Sequence, residues 1–223
     1  MGGEIRLVIA DDHAMVRYGL RLAAQAQGLD VVGEAADGLD ALATTRRLRP
    51  DVLLMDIEMP RMNGLEAARQ LLEDQDPPKI VMLTTFDTDA NLYASLRLGV
   101  QGYLLKSSSP EQLVEAIRTA AAGDALIDPA ATARVIAAFA ACPDPEPPPE
   151  LDTLTQREHA VLELLARGLS NPEIAHELGV GEATVRTHVA QVLHKLGLRN
   201  RVQAVVFAYE TGVVRPSGRG RRG

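Results

Sequence analysis

Short apolar runs and helix-spaced apolar positions alternate over the first half of the chain. The run at 52–55 has the length of a buried strand and ends on Asp56, before a loop that contains Pro60, Asn63 and Gly64. Repeating this reading along the chain predicts five strands and five helices. The strands are residues 5–10, 31–32, 52–56, 80–83 and 102–105, and the helices are 14–27, 39–48, 64–73, 89–98 and 110–122.

Five strands that each precede a helix favour a parallel sheet with helices on both faces. Right-handed crossovers place the carboxyl ends of such strands at one edge of the sheet. We therefore expect the polar side chains that stand at these ends to converge. They are Asp11, Asp12, Asp56, Thr84 and Lys106.

Three carboxylates in close quarters repel each other unless a cation neutralises them. A hard divalent ion with oxygen ligands, most simply Mg2+, would do so and would also draw in a phosphoryl group. A carboxylate could then attack phosphorus, after which Lys106 would pair with the phosphate and Thr84 would donate a hydrogen bond to it.

Each residue alone also has an ordinary structural interpretation. Asp11 and Asp12 could cap the helix that follows, Asp56 could cap its loop, and Lys106 could be a solvated charge. A dinucleotide-binding sheet is a structural competitor, but it requires a glycine-rich turn after the first strand, and residues 11–14 contain no glycine.

A second helical segment follows in the last third of the chain. Thr155 with Glu158, and Ser170 with Glu173, form capping boxes, and glycines in 179–181 separate a short helix from a longer one. Two helices joined by a tight turn are typical of a helix-turn-helix, whose second helix lies in the major groove of DNA. The predicted helices are residues 155–168, 170–178, 182–196 and 201–211, and the last has an apolar stripe.

Composition separates the two segments. Residues 129–141 predict a connecting helix, and proline alternates with acids over 143–150, which favours an extended spacer. The net charge of −7 is distributed as −8 over residues 1–130, −2 over 131–150 and +3 over 151–223. An acidic body with a basic end indicates a regulatory part joined to a nucleic-acid-binding part, although four of the last ten bases lie in the tail.

Other features bound the location of the protein. No apolar run approaches the ~20 residues of a membrane span, and the N-terminus has no signal pattern. The lone Cys142 fits a reducing compartment, so we expect a cytoplasmic protein without a membrane partner. The five histidines show no metal-ligand spacing. The predicted division is residues 1–124, a linker at 125–150, a helical domain at 151–212 and a basic tail at 213–223.

The first part resembles the receiver domains of two-component response regulators. The resemblance covers residues 5–122 and implies a flavodoxin-like, doubly wound sheet in which a sensor histidine kinase phosphorylates Asp56. It implies that Mg2+ binds Asp12, Asp56 and the backbone carbonyl of Glu58 directly, and Asp11 through water. Many receivers have a proline after the lysine that corresponds to Lys106, whereas this chain has Ser107. This difference argues against a cis peptide bond between Lys106 and Ser107. The motifs are Asp11-Asp12, Asp56 with Pro60 and Gly64, Thr84, and Gly102-Tyr103 with Lys106.

The resemblance also assigns roles in switching. Thr84 would move toward the phosphate, Tyr103 would repack inward, and Lys106 would hold the phosphate. Thr85 is small, so it would leave the phosphoryl group accessible.

The second part resembles the LuxR-type helix-turn-helix of NarL/FixJ response regulators, over residues 154–209. The match rests on Leu154-Thr155-x-Arg157-Glu158 and Thr184-Val185-x-Thr187-His188-Val189, among other motifs. Ala190 departs from the family, where a basic side chain often continues the contact face. The resemblance implies DNA contacts by Thr184, Arg186, Thr187, His188, Ala190, Gln191, Lys195 and Arg201.

These observations predict a DNA-binding transcriptional regulator that phosphorylation of Asp56 switches. Phosphorylation would promote homodimerisation and binding to double-stranded promoter DNA. Two alternatives come from other classes. One is a phosphoaspartyl phosphatase with Glu58 as its second acid, but no substrate-recognition cap is evident, so we expect no enzyme beyond slow self-dephosphorylation. The other is a receiver that acts independently of phosphorylation.

Overall fold

The computed structural model describes residues 4–85, 89–123, 126–127 and 148–214. The chain falls into two compact units, Met1–Ala131 and Thr132–Gly223, which divide within the predicted linker. The predicted connecting helix, most of the proline-rich spacer and the tail from residue 215 lie outside the described residues. Among the described helices, none is both long enough and apolar enough to cross a membrane.

The first unit is built on one parallel sheet with the strand order β2-β1-β3-β4-β5-β6. The strands are β1 (Arg6–Ala10), β2 (Asp30–Ala35), β3 (Val52–Asp56), β4 (Lys79–Thr84), β5 (Gly102–Leu105) and β6 (Leu126–Ile127). The helices are α1 (Ala14–Ala26), α2 (Gly38–Leu48), α3 (Gly64–Leu72), α4 (Asp89–Leu98) and α5 (Pro110–Ala121).

Both faces of this sheet are buried, which explains its continuous apolar strands. Residues at alternate strand positions, such as Leu7, Ile9, Val52 and Leu54, share one core with Ile117 of α5. The intervening positions on the other face are buried as well, and every residue of β3 is buried. The predicted doubly wound α/β fold is therefore confirmed.

Two details of the sheet differ from the predicted pattern. β2 is longer than the predicted 31–32, because it pairs with β1 along its length across one register shift. The two-residue strand β6 lies in the stretch that we assigned to the linker, and it pairs with Gly102 and Tyr103 of β5. Two residues are too few to show a periodicity, so the backbone pairing of an edge strand decides this element.

In the second unit, the regular structure of the described residues, 148–214, is helical. It consists of a 3-10 helix (Pro149–Thr153) and the helices α6 (Gln156–Ala166), α7 (Asn171–Leu178), α8 (Glu182–Lys195) and α9 (Arg201–Glu210). Its core includes Val161, Leu165 and Ile174, and Val185 and Val192 attach α8 to it. The helix-turn-helix prediction is confirmed.

Local signals set the ends of these helices. The Thr155 N–H donates to the Glu158 carboxylate at 2.7 Å, and the Glu158 N–H donates to the Thr155 hydroxyl at 3.3 Å, as in a capping box. The Glu173 carboxylate accepts from the Ser170 N–H at 2.7 Å. Gly179 ends α7 with a left-handed φ of 65°, which glycine adopts without strain.

The helical unit extends beyond its predicted limits at both ends. Leu151 is only 7% exposed and belongs to the core, so Pro149 and Glu150 form a 3-10 turn instead of the extended spacer that we predicted. At the other end, Val213 and Val214 pack against the same core, although we predicted that they belong to the tail. Burial of apolar side chains overrides the local proline pattern in the first case.

Candidate functional site

The carboxyl edge of the sheet brings together two acids and a lysine from different strands. β1 pairs directly with β3, so Asp11 and Asp56 lie side by side at the strand ends. Lys106 follows β5 and reaches across the end of β4. Its Nζ lies 2.6 Å from the Asp11 carboxylate and 2.7 Å from the Asp56 carboxylate. The predicted convergence of these three side chains therefore occurs.

Burial makes it costly in free energy to keep the groups of this cluster charged. Asp11 is fully buried and Asp56 is 3% exposed. Burial raises the pKa of Asp56, and the ammonium of Lys106 offsets that rise only in part. Burial opposes the charge on Lys106, yet its hydrogen bonds with Asp11 and Asp56 prevail and raise the pKa of the ammonium. The single ammonium of Lys106 thus neutralises the charge of only one of the two buried carboxylates. The negative charge that remains attracts a second cation.

Asp12 and His13 extend the acidic cluster toward solvent. The ligand atoms of Asp11, Asp12 and His13 lie within 4.8 Å of each other. His13 Nδ1 lies 2.5 Å from the Asp12 carboxylate, and the His13 side chain is 69% exposed. We did not assign His13 to the site from sequence, although its position directly after Asp11-Asp12 was a usable signal.

The helix-capping alternative does not hold for either of the first two acids. His13 is the N-cap residue of α1, and no side chain caps that end of the helix. Asp11 accepts a hydrogen bond from the His13 N–H at 2.9 Å, which orients the acid locally. Asp56 does bond its own loop, since its Oδ1 accepts from the Glu58 N–H at 3.3 Å, but its Oδ2 binds Lys106.

The two predicted switch residues lie on the neighbouring strands β4 and β5. Thr84 ends β4, and Tyr103 lies in β5, where it pairs with Met82. Both side chains are fully buried, so Tyr103 already occupies an inward position. The described residues include no cis peptide bond, in agreement with Ser107 after Lys106.

The oxygen donors at this edge fit a hard divalent cation. Asp11, Asp12 and Asp56 offer carboxylate oxygens, and Glu58 offers a backbone carbonyl in the adjoining loop. Such donors suit Mg2+, which prefers oxygen ligands and retains several waters. The Glu58 side chain itself is exposed to solvent, as is common for a charged loop residue.

The second unit presents a different kind of surface on α8. Val185 and Val192 face the core, and the opposite side of the helix is open to solvent. Arg186 pairs with Glu182 one turn earlier, and its side chain is 69% exposed. His188 is half-buried. The exposed residues among the predicted DNA contacts on this helix are Thr184, Arg186, Thr187, Ala190, Gln191 and Lys195.

Two of the predicted DNA contacts, Lys195 and Arg201, have partners inside the helical unit. Lys195 Nζ lies 2.6 Å from the carboxylate of Glu158 and also donates to the Thr153 carbonyl at 3.1 Å. The Arg201 guanidinium donates to the Leu169 carbonyl and to the Asn171 side chain. A lysine has three N–H donors and an arginine five, so either cation could contact a DNA phosphate while it keeps these internal partners.

A buried Asp–Asp–Lys cluster at the edge of a parallel sheet, in one chain with a helix-turn-helix, defines a DNA-binding response regulator. Models of known families match both parts. The response regulator receiver domain matches residues 7–118, and the luxR family of bacterial regulatory proteins matches residues 152–208. The chain belongs to the LuxR family of two-component response regulators, which are DNA-binding transcription regulators and not enzymes.

Individual relatives match nearly the full length of the chain. The uncharacterised transcriptional regulatory protein YxjL of Bacillus subtilis (strain 168) is 43% identical over 213 residues, which cover 95% of this chain and 98% of that protein. The response regulator ChrA of a heme-sensing two-component system is 32% identical, with a TM-score of 0.53, over 96% of this chain and 100% of that chain. RcsB, solved as two dimers bound to two parallel DNAs, is 25% identical, with a TM-score of 0.55, over 93% and 99%.

Proposed function

We propose that phosphorylation of Asp56 by a sensor histidine kinase switches this regulator toward dimerisation and promoter binding. The observation that carries the proposal is the position of Lys106, which binds Asp11 and Asp56 together at the buried edge of the sheet. A lysine held there can transfer one of its contacts to an incoming phosphate. The same cluster has little use in a sheet that only supports dimerisation.

The chemistry proposed for this edge is a phosphoryl transfer between side chains. One oxygen of Asp56 attacks phosphorus, the P–N bond of a phosphohistidine breaks, and the histidine keeps that electron pair. Mg2+ would be held by Asp12, Asp56 and the Glu58 carbonyl, with Asp11 bound through water, and it would neutralise the charge that gathers on the phosphoryl oxygens. Lys106 then pairs with the phosphate, and the Thr84 hydroxyl donates a hydrogen bond to it.

We propose that the phosphoryl donor docks on the apolar outer face of α1. α1 begins directly after Asp12 and His13, so its first turns border the acidic cluster. Met15 is 81% exposed, Tyr18 50% and Leu22 48%. These positions follow a helical spacing, and a partner helix that buries them would also be brought next to Asp56.

We propose that α8 enters the major groove, with Arg186 and Thr187 toward the base edges. Both side chains are exposed near the N-terminal end of the helix, where a recognition helix contacts bases. Thr184, His188, Ala190 and Gln191 complete the surface, while Lys195 and Arg201 flank it. Ala190 offers only apolar contact, such as with a thymine methyl, so discrimination depends chiefly on Arg186.

Phosphorylation is proposed to act through pairing of the chains. A helix-turn-helix unit reads one half-site, and joining two of them converts the second binding event into an intramolecular one. Thr84 ends β4, the strand that pairs with β3, and Tyr103 lies on the next strand, with both side chains buried. A new charge on Asp56 is proposed to alter packing along these strands. That change would shift an existing equilibrium between unpaired and paired receivers.

The proposal is tested with beryllofluoride, which imitates the aspartyl phosphate in the presence of Mg2+. We expect light scattering to show a change from 24.0 kDa to about twice that mass, and affinity for a duplex selected from random sequences to rise at least about tenfold. If mass and affinity stay the same while the duplex is still bound specifically, the phosphorylation-independent alternative replaces this proposal.

A second prediction concerns base readout. Arg186→Ala is expected to weaken binding to the selected duplex by about 2 kcal/mol, because a bidentate contact with guanine is lost. Competition gel shifts with specific and nonspecific duplexes would measure it. The control is Arg167→Ala, which removes the same charge and a similar i,i+4 ion pair, with Glu163, from α6. Equal losses for the two variants, or unchanged discrimination with Arg186→Ala, would remove Arg186 from the readout.

A further inference from the structure

The loop between β3 and α3, residues 57–63, is closed tightly beneath Asp56. The Gly64 N–H donates to the Ile57 carbonyl at 2.8 Å, so the two ends of the loop are bonded together. A Cβ on Gly64 would lie 2.0 Å from the backbone oxygen of Asp56. The position of this loop therefore sets the position of the Glu58 carbonyl relative to the Asp56 carboxylate.

The tip of the loop has an unfavourable backbone conformation. The Met62 N–H donates to the Pro60 carbonyl at 2.7 Å, which closes a three-residue turn around Arg61. Arg61 has a φ of 63°, in the left-handed region that favours glycine. A non-glycine residue persists in such a turn only where its surroundings hold it.

The turn between β2 and α2 supplies that support. The Gly38 N–H donates to the Met62 carbonyl at 3.1 Å, and a Cβ on Gly38 would lie 2.4 Å from the same oxygen. The carboxylate of Asp37 contacts the guanidinium of Arg61. One backbone hydrogen bond and one ion pair thus join the tip of the loop to the start of α2.

The carboxylate of Asp37 is buried, and both of its oxygens have partners. Its side chain is 4% exposed, and its two oxygens are divided between two tasks. Oδ1 accepts from the Asp40 N–H at 3.0 Å and caps α2, while Oδ2 binds Arg61. A buried carboxylate that also requires a cation makes the Arg61 contact costly to lose.

We propose that Asp37 and Arg61 are a positioning pair for the cation site. They hold the strained tip against α2, and so keep the Glu58 carbonyl in place before Mg2+ arrives. The inference rests on the proposed function, since it requires that Glu58 be a ligand. Loss of the pair lets the loop relax, and binding must then order it again, which weakens affinity for the ion without touching a ligand.

A second Arg–Asp pair, whose carboxylate is 35% exposed against 4% for Asp37, serves as a control. Arg46 and Asp74 join α2 to the residue just beyond the end of α3, through two hydrogen bonds of 3.0 Å. The two pairs connect the same two regions of the fold, but Arg46 lies in the last turn of α2, and Asp37 precedes its first. Arg46–Asp74 therefore tests what an ion pair contributes to folding alone.

The test uses the full chain and calorimetric titration with MgCl2. Asp37→Asn keeps a side chain that caps helices well but removes its charge. Arg61→Gly keeps the left-handed φ without strain and removes the guanidinium. We expect each variant, and the double variant, to bind Mg2+ about tenfold more weakly, because Arg61 acts on the site through the loop. Asp74→Asn should leave Mg2+ affinity within about twofold of the wild type.

Thermal melting in EDTA separates positioning from folding. Arg61→Gly relieves backbone strain but leaves the buried Asp37 without its cation, and these effects on stability oppose each other. We therefore expect its melting temperature to change no more than that of Asp74→Asn, even though its Mg2+ binding weakens. Unchanged Mg2+ affinity in both variants, with normal binding by the wild type, would show that the pair is only structural. Failure of the proposed metal site has a different signature, since the wild type would then bind no Mg2+ and Asp12→Asn would change nothing.

Discussion

Asp56→Asn is expected to abolish phosphorylation of this regulator by acetyl phosphate and by a histidine kinase. The amide offers no nucleophilic carboxylate oxygen to attack phosphorus, and it contributes no charge to a Mg2+ site. Phosphate incorporation measured by mass spectrometry of the intact chain should fall from one group per chain, at most, to none. Beryllofluoride should likewise lose its effect on mass and on DNA binding.

The fold should survive this substitution. Burial raises the pKa of Asp56, which means that folding disfavours its ionised form and that this penalty is present above the folded pKa. A neutral amide avoids the penalty, so the melting temperature at pH 7 without Mg2+ should equal or exceed that of the wild type. A fall would indicate that the bond with Lys106 outweighs desolvation.

The control is Asp51→Asn, which makes the same chemical change at the residue that directly precedes β3. Asp51 accepts a hydrogen bond from the Arg6 N–H at 2.8 Å, and an asparagine oxygen can accept it equally. This variant should take up phosphate as the wild type does. Uptake that persists with unchanged stoichiometry in Asp56→Asn would mean that another carboxylate, such as Asp12, is the acceptor.

Lys195→Met is expected to destabilise the helical unit by about 3 kcal/mol, because it leaves a buried carboxylate without its cation. Glu158 is 3% exposed and retains the Thr155 N–H as a partner. The Lys195 side chain is 32% exposed, which places the effect at the lower end for a buried pair. Calorimetry of the full chain would follow the melting of this unit, with Arg199→Met as an exposed control.

The effect should depend on pH in a defined direction. The hydrogen bond from Lys195, followed by the Thr155 N–H, lowers the pKa of Glu158 from 4.5 to about 2. A depressed folded pKa contributes stability that is complete above the unfolded value and is lost as the pH falls through the folded value. The stability difference between wild type and Lys195→Met should therefore be constant above pH 5 or so and shrink toward pH 2.

The same variant distinguishes an internal role for Lys195 from the DNA contact that the sequence suggested. A lysine that neutralises a phosphate contributes about one to the slope of log affinity against log salt. An internal pair predicts that the slope stays the same while stability falls. Unchanged stability with a reduced slope would show that Lys195 serves DNA and that its bond with Glu158 contributes little.

The sequence by itself determined the α/β sheet, the helix-turn-helix and the convergence of Asp11, Asp56 and Lys106. Apolar runs define the buried strands, and parallel strands with right-handed crossovers must end at one edge. A polar residue at the end of a run is therefore placed by topology alone. The capping box of Thr155 and Glu158 was equally accessible, since it involves only residues three apart.

Only the tertiary structure decided which partners the charged side chains have. Lys195 binds Glu158, 37 positions away, and Arg201 reaches the Leu169 carbonyl, 32 positions away. Arg61 meets Asp37 only because the loop after β3 folds onto the start of α2. A long cationic side chain can reach an acceptor that is far away in the sequence. Which buried acceptors lie within its reach depends on how the chain packs. Local pattern can place a charge on an element, but it cannot supply the opposite charge from elsewhere in the fold.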